Sequence, residues 1–194
     1  SDQSSLRYAQ GRPPFGVSIR ICDAEKGSTE LTLDGQTTGH LQIKGHWIVE
    51  SYFDQFSNAL TADGWFDTGD MATINPDGYM VISDRSKDLI KSGGEWISSV
   101  ELENIAIAHP EIDMVAVIAA THPKWDERPI LIAKKTAVSQ VSEAELLDYY
   151  TGKIAKWQIP DRVVFVDSIP VGGTGKVLKK DLRASYGSIL LAVE

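Results

Sequence analysis

A glycine-rich segment that ends in lysine, PVGGTGK at 170–176, suggests the first possible chemistry, which is anion binding. A phosphate-binding P-loop, G-x-x-x-x-G-K-[ST], would need glycine at 170 and serine or threonine at 177. The chain has Pro170 and Val177 instead, so the P-loop pattern is excluded. What remains is the ammonium group of Lys176, on a flexible loop just ahead of a helical pattern. Taken alone, such a lysine is most often an ordinary solvated side chain.

Two carboxylates, Asp67 and Asp70, lie at the end of an apolar stretch in GWFDTGD at 64–70. A carboxylate can accept hydrogen bonds from both hydroxyls of a ribose. An aspartate beside glycine is also common in an ordinary turn, and the residues alone favour that simpler interpretation.

A pair of glycines in KSGGEW at 91–96 forms a third candidate. Without a Cβ, Gly93 and Gly94 would let the backbone approach a ligand closely, near the cation of Lys91. The same pair would serve equally well as the turn of a hairpin. The glycine patterns of serine hydrolases and of dinucleotide-binding folds are both absent from the sequence.

The amino-acid composition argues against several classes of protein. Nineteen basic and 27 acidic side chains give a net charge of −8, which disfavours nucleic-acid binding through a broad positive face. No apolar run is long enough to span a membrane, and the stretch from Ser1 to Gln10 lacks the layout of a signal peptide. The single cysteine, Cys22, fits a reducing cytoplasm, and the four histidines have no metal-site spacing. We therefore expect a cytoplasmic protein without a metal site in this chain.

The elements that must position these residues fall into two parts. Residues 1–84 hold 5 basic and 12 acidic side chains, against 14 and 15 in residues 85–194. The first part consists of short apolar stretches between turn residues and predicts β structure, with a hairpin at Asn75–Gly78. The change of character begins at the charged residues 84–88, so the sequence predicts a domain boundary between Asp84 and Arg85.

The second part predicts a small α+β domain. Ser98 with Glu101 and Ser142 with Glu145 match the capping box that opens a helix, and a last short helix is predicted over 177–186. Compact, mostly β-branched runs predict three strands that form a sheet core flanked by these helices, at 114–120, 130–133 and 163–166.

The order and spacing of the motifs are more specific than any one of them. GWFDTGD at 64–70, SDRSKDLIKSGGEWISSVELEN at 83–104 and IPVGGTGK at 169–176 together resemble the closing motifs of the adenylate-forming superfamily. That superfamily holds acyl-CoA synthetases, nonribosomal adenylation domains and beetle luciferases. HPKWDERP at 122–129 and KIAKWQIPDRVVFVDSIP at 153–170 are closer to the fatty-acyl-CoA ligase branch. The resemblance implies the β-rich end of a large N-terminal domain at 1–84, followed by a mobile C-terminal domain at 85–194.

The resemblance also implies a reaction in two halves. A carboxylic acid and ATP, accompanied by Mg²⁺, form an acyl-adenylate, and the thiol of CoA then displaces AMP. By the family pattern Asp70 would hold the ribose hydroxyls and Arg85 would contact the same nucleotide. Lys176 would be the adenylation lysine, because a fixed ammonium stabilises the charge that builds between carboxylate and α-phosphate.

For the second half-reaction the family rotates its C-terminal domain about a hinge, which falls here on Lys87. The polar residues around it suit a segment that must change its backbone angles in water. After the rotation Lys91 would lie near the reacting centre. Pantetheine would then pass through a tunnel lined by the four residues that follow Ser92, namely Gly93, Gly94, Glu95 and Trp96.

The sequence departs from the family pattern in two ways, and both bear on the activity that the resemblance implies. Position 172 is glycine where the family usually has threonine, so a hydroxyl that would order the lysine loop is missing. The family's phosphate loop, acyl pocket and magnesium-binding glutamate are also absent from this sequence. The resemblance therefore implies a C-terminal fragment that is inactive by itself, with any homodimer formed through the missing portion. Two alternatives stay open: an adenylation domain that serves a carrier protein, and a non-catalytic binding module.

Overall fold

The computed structural model describes residues 9–23, 29–51 and 60–192, so most of the N-terminal stretch considered for a signal peptide lies outside the described residues. The chain divides into two compact units, residues 1–87 and 88–194. This division lies just beyond the boundary suggested by the charge pattern, because the strand that contains Asp84 continues through Arg85.

The first unit contains a four-stranded antiparallel sheet in the order β1-β2-β3-β4. Its strands are β1 (Val17–Cys22), β2 (Thr38–Gly45), β3 (Phe66–Ile74) and β4 (Met80–Arg85). The hairpin predicted at Asn75–Gly78 joins β3 to β4, and the Asn75 side chain closes it by accepting a hydrogen bond from the amide of Tyr79. Ile21, Leu41, Ala72 and Ile74 form the core beneath the sheet.

The second unit is an α+β domain, as the sequence predicts. It contains β5 (Ile90–Ser92), β6 (Glu95–Ile97), β7 (Ile112–His122), β8 (Asp126–Lys135) and β9 (Arg162–Phe165). Its helices are α1 (Ser99–Ile107), α2 (Glu143–Asp148) and α3 (Lys179–Tyr186), with short 3-10 helices at Lys156–Gln158 and Ile189–Ala192.

The three-stranded core predicted for this unit is too small. β7, β8 and β9 are the three strands expected, but the described part of the unit has a five-stranded sheet because β5 and β6 join it as a short hairpin. β8 is the central strand: β7 runs antiparallel along one side, while β9 and the end of β5 share the other. Strands of three residues carry too little apolar pattern to be recognised from sequence.

Side-chain caps start the two helices where the sequence places them. The Ser98 hydroxyl accepts from the amide of Glu101, and Ser142 with Glu145 forms a complete capping box. The apolar faces of α1 and α2 cover one side of the sheet, where Tyr150 is fully buried and donates its hydroxyl to the carbonyl of Leu102 at 2.8 Å. Leu182 of α3 belongs to the apolar cluster that includes Ile118 and Ile130. None of the helices in the described part of the chain is long and apolar enough to cross a membrane.

Candidate functional site

Asp70 and Arg85, the two residues proposed for the nucleotide, are direct neighbours in the first unit. They pair in register across β3 and β4, and Arg85 Nε lies 2.9 Å from Asp70 Oδ1. The Asp70 side chain is 21% exposed and that of Arg85 is 55% exposed. The pair therefore presents an oriented carboxylate and a cation at the surface of the sheet, where a diol and a phosphate could both be bound.

An irregularity in the sheet sets the position of Asp70. The pairing of β2 with β3 shifts register between His40 and Gln42, opposite the Thr68–Asp70 part of the motif. In that gap Thr68 Oγ1 donates to the carbonyl of Leu41 at 2.9 Å and accepts from the amide of Asp70 at 3.1 Å. Bulges of this kind redirect a side chain at functional positions. Asp67, the other carboxylate of the motif, instead accepts from the amide of Gly69 at 2.8 Å.

The glycine pair forms the turn of the β5–β6 hairpin, which we call the glycine hairpin (residues 90–97). Gly93 and Gly94 have φ of +60° and +92°, and the two-residue turn joins Ser92 to Glu95. Two successive positive φ values are the conformation that such a turn requires and that L side chains resist. The geometry of the turn therefore accounts for both glycines without a ligand. The surroundings of Gly93 and Gly94 nevertheless differ.

A Cβ at Gly93 would lie 2.9 Å from the Trp125 ring, whereas a Cβ at Gly94 would meet nothing within 4 Å. The side of the turn at Gly94 is therefore open. Beside it, the Lys91 ammonium lies 5.5 Å from the centre of the Trp96 ring, and both Glu95 and Trp96 are exposed. The structure thus brings Lys91 and the residues proposed for the pantetheine tunnel together on one hairpin.

Lys176 stands on a second, separate hairpin of the same unit, which we call the lysine hairpin (residues 171–177). Val171 bridges Val177, the Gly172 amide donates to the Lys176 carbonyl at 2.8 Å, and the Gly175 amide donates to the Gly172 carbonyl at 2.9 Å. Backbone bonds therefore order this loop without the hydroxyl that Gly172 lacks. The Lys176 side chain is exposed, and its ammonium has no hydrogen bond or ion pair within the described residues.

Two partly buried ion pairs fix the helix that follows the lysine hairpin. Lys179 Nζ lies 2.7 Å from Glu103 Oε1, and Arg183 Nη1 lies 2.8 Å from Asp88 Oδ1. α3 is thereby attached both to α1 and to the first residue of the second unit.

Lys87, the proposed hinge, lies in the middle of the turn formed by residues 86–88, between β4 and β5. Its side chain is exposed. On the strand side, Ser86 is held through its amide and hydroxyl, which both donate to the Gly69 carbonyl. Lys87 therefore stands between one residue anchored to the first unit and another anchored to the second.

One polar cluster was not found from the sequence. A cavity of about 450 Å³ opens next to the glycine hairpin and is lined by Ser92, Gly93, Glu95, Trp125, Arg128, Trp157 and Asp161. The Arg128 side chain is 11% exposed and Arg128 Nη2 contacts Asp161 Oδ1 at 2.6 Å. Because these two residues lie far apart in the chain, no local pattern marks them.

Cys22 and the acidic residues offer no further chemistry. Burial raises the pKa of the Cys22 thiol, which makes a nucleophilic thiolate unfavourable. Across residues 9–23, 29–51 and 60–192, no group of His, Cys, Asp and Glu side chains is arranged to hold a metal ion.

The second unit is similar to a known domain family. Residues 101–176 match the family model of the AMP-binding enzyme C-terminal domain. The match includes most of α1, the strands β7, β8 and β9, α2 and the lysine hairpin through Lys176.

The curated relatives are CoA ligases. The chain is 58% identical to a 3-methylmercaptopropionyl-CoA ligase of Ruegeria lacuscaerulensis over 97% of its length, and 54% identical to a medium-chain fatty-acid CoA ligase of Ectopseudomonas oleovorans over 98%. It spans 35% of the first relative and 34% of the second. The chain thus corresponds to about a third of the length of these enzymes.

Solved structures of adenylate-forming enzymes share the fold. ATP-bound MatB from Rhodopseudomonas palustris matches with a TM-score of 0.84 and 31% identity, covering 94% of this chain and 36% of MatB. The o-succinylbenzoate CoA synthetase of Bacillus subtilis, in complex with its acyl-adenylate intermediate, matches with a TM-score of 0.82 and 30% identity. That match covers 93% of this chain and 36% of the synthetase.

Proposed function

We propose that this chain forms the C-terminal part of an AMP-forming acyl-CoA synthetase. The enzyme would join a fatty acid or a related carboxylic acid to CoA through an acyl-adenylate, releasing pyrophosphate and then AMP. Since the chain spans about 35% of its relatives, we further propose that the acyl pocket lies outside it. The chain alone would then be inactive.

The observation that carries the proposal is the presence of two lysines on two separate hairpins of one compact unit. Lys176 is exposed on the lysine hairpin, and Lys91 lies on the glycine hairpin beside an open turn. A single cation site would suffice for a one-step reaction. Two alternative sites on one small unit suit two half-reactions in which a different group must approach the same centre.

In the first half-reaction Asp70 would accept the ribose hydroxyls, and Arg85 would hold Asp70 and contact the nucleotide. The support is their 2.9 Å ion pair, which joins Arg85 Nε to one carboxylate oxygen of Asp70 and orients the carboxylate. Lys176 would approach the developing negative charge between the acid and the α-phosphate. An ammonium aimed there is worth about 3 kcal/mol or more in the transition state.

In the second half-reaction the unit would turn about Lys87 and bring the glycine hairpin to the same centre. Lys91 would lie near the acyl group, and Gly93, Gly94, Glu95 and Trp96 would line the path of pantetheine. The open space at Gly94 supports this assignment, because a thiol arm needs room that a Cβ would take.

Several finer points belong to the proposal. Mg²⁺ would accompany ATP and be bound outside this chain, since the described residues offer no cluster for it. A homodimer would form through the portion outside the chain. A cytoplasmic location is suggested by the single, unpaired Cys22.

A fusion tests the proposal. The N-terminal part of the Ruegeria lacuscaerulensis ligase, ending where its similarity to this chain begins, would be joined to residues 1–194; we call this protein the fusion enzyme. We expect it to make a CoA thioester with acid-dependent release of pyrophosphate, whereas the 194-residue chain alone does neither. A folded fusion enzyme that binds ATP but makes no thioester would contradict the proposal, as would pyrophosphate release by the chain alone.

A further inference from the structure

Arg128 is a nearly buried cation on β8, and its guanidinium contacts four residues in two other segments of the second unit. Arg128 Nε donates to Asp161 Oδ1 at 2.8 Å, and Nη1 donates to Ser92 Oγ at 3.0 Å and to the Trp157 carbonyl at 2.6 Å. Nη2 donates to the Ile159 carbonyl at 2.9 Å and lies 2.6 Å from Asp161 Oδ1.

These contacts engage every nitrogen of the guanidinium. Four hydrogen bonds use Nε once, Nη1 twice and Nη2 once, and Nη2 is also within ion-pair distance of Asp161 Oδ1. The Asp161 carboxylate thus balances the charge of Arg128. Arg128 is already engaged by protein groups, although it lines the cavity beside the glycine hairpin. Its role must be exerted through the groups that it holds.

The most consequential of those groups is Ser92, the residue directly before Gly93. β5 has only three residues and pairs with β8 at a single position, Ser92 with Asp126. Beyond that pair, the Gly93 amide donates to the Trp125 carbonyl in the turn before β8 at 2.9 Å, and the Lys91 amide donates to Glu127 Oε2 on β8 at 2.9 Å. The Arg128–Ser92 bond is the side-chain link that ties the residue directly before the glycine turn to the central strand.

We infer that Arg128 is a positioning residue for the glycine hairpin and, resting on the proposed function, for thioester formation alone. By bonding Ser92 on one side and the 157–161 segment on the other, it fixes the turn relative to both walls of the cavity. The lysine hairpin makes none of the five contacts. Adenylation, which would use Lys176, should therefore be independent of Arg128, whereas a displaced glycine turn should slow the attack of the thiol.

The test measures the two half-reactions separately in the fusion enzyme: ATP–pyrophosphate exchange, and thioester formation from supplied acyl-adenylate. Arg128→Met should lower kcat for thioester formation about 100-fold, the scale of a 1 Å misplacement, while exchange changes less than about threefold. Ser92→Ala, which removes only the contact with the hairpin, should lower the same kcat about tenfold. Arg162→Met, a half-exposed arginine on neighbouring β9, is the matched control and should leave both half-reactions unchanged.

The double variant Ser92→Ala/Arg128→Met distinguishes positioning from general weakening. If Ser92 acts through Arg128, the double variant should be no slower than Arg128→Met alone, because the two changes remove one linkage. Additive losses, or parallel loss of both half-reactions in Ser92→Ala, would overturn the inference. These outcomes are read only against an active wild-type fusion enzyme, so an inactive wild type contradicts the proposed function and not the role of Arg128.

A second measurement needs no enzymatic activity. In the 194-residue chain, hydrogen exchange of the Gly93 amide should accelerate at least tenfold in Arg128→Met and Ser92→Ala, while the amide of Val117 on β7 stays protected. Unchanged exchange at Gly93 in both variants would overturn the inference, because the hairpin would then be held without the arginine.

Discussion

Asp70 and Arg85 are paired twice, once by the register of β3 with β4 and once by an ion pair of 2.9 Å. The sheet brings the two residues together, and the ion pair then orients the carboxylate. Since half of the Arg85 side chain is exposed, this pair adds at most about 1 kcal/mol to stability. We propose that the pair contributes to ligand binding rather than to stability.

Arg85→Met tests that interpretation. We expect the free energy of unfolding of the 194-residue chain to change by less than about 1 kcal/mol. In the fusion enzyme the KM for ATP should rise about tenfold, because Asp70 is no longer oriented and a cation is lost. Lys134→Met breaks a similarly exposed pair with Asp113 and should leave the KM unchanged. Equal KM values for the two variants would remove Arg85 from the nucleotide site.

The hinge assignment is tested by Lys87→Pro. Proline locks φ at about −65° at the centre of the turn, so the rotation should be blocked in one direction. We expect adenylation to persist while thioester formation falls at least tenfold. Lys87→Ala, which removes the side chain and leaves φ free, is the control and should retain both. Normal thioester formation by Lys87→Pro would place the pivot elsewhere.

The two glycines of the hairpin should respond differently to alanine. Both substitutions place a Cβ at positive φ and should cost the chain about 1 kcal/mol or more. Gly93→Ala should cost more, because its Cβ would lie 2.9 Å from the Trp125 ring. The Cβ of Gly94→Ala meets open space, so this variant should lose less stability than Gly93→Ala. For the stability it loses, however, Gly94→Ala should reduce thioester formation more than Gly93→Ala does. Thermal unfolding and single-turnover thioester assays compare the two, and the reverse ranking would exclude a pantetheine path at Gly94.

Acid should weaken the second unit through Glu111. The amides of Gln140 and Val141 and the hydroxyl of Ser139 lower the pKa of Glu111 below its ordinary 4.5. A lowered pKa in the folded state adds stability above pH 4.5, and this stability is lost as the pH falls through the folded value. Glu111→Gln should therefore be less stable than wild type at pH 7, with the difference shrinking below about pH 4.5. Melting curves that stay parallel from pH 7 to pH 3 would contradict this linkage.

Much of the fold is predictable from local signals. The helix starts at Ser98 and Ser142 and the turn at Asn75–Gly78 are short-range patterns, and the structure has a side-chain cap at Ser98, a complete capping box at Ser142 and the turn. The glycine hairpin was harder to assign, since a glycine pair fits a turn and a ligand site equally well. The open side at Gly94 depends on which atoms surround that position in three dimensions, and the sequence does not contain this information.

Contacts between residues that lie far apart in the chain could not be predicted from the sequence. Arg128 and Asp161 meet because β8 and β9 are parallel neighbours, and no spacing rule links residues across such a crossover. The lysine hairpin is ordered although Gly172 lacks a side-chain hydroxyl, because backbone hydrogen bonds close the loop and these bonds leave no signal in the sequence.

The central claim is that Lys176 serves the first half-reaction and not the second. The most direct measurement compares Lys176→Ala with the wild-type fusion enzyme in ATP–pyrophosphate exchange and in thioester formation from supplied acyl-adenylate. Because Lys176 is exposed, its removal should leave folding intact. The account predicts at least a ~100-fold loss of exchange with thioester formation within about threefold of wild type. Equal loss of both half-reactions, or unchanged exchange, would contradict it.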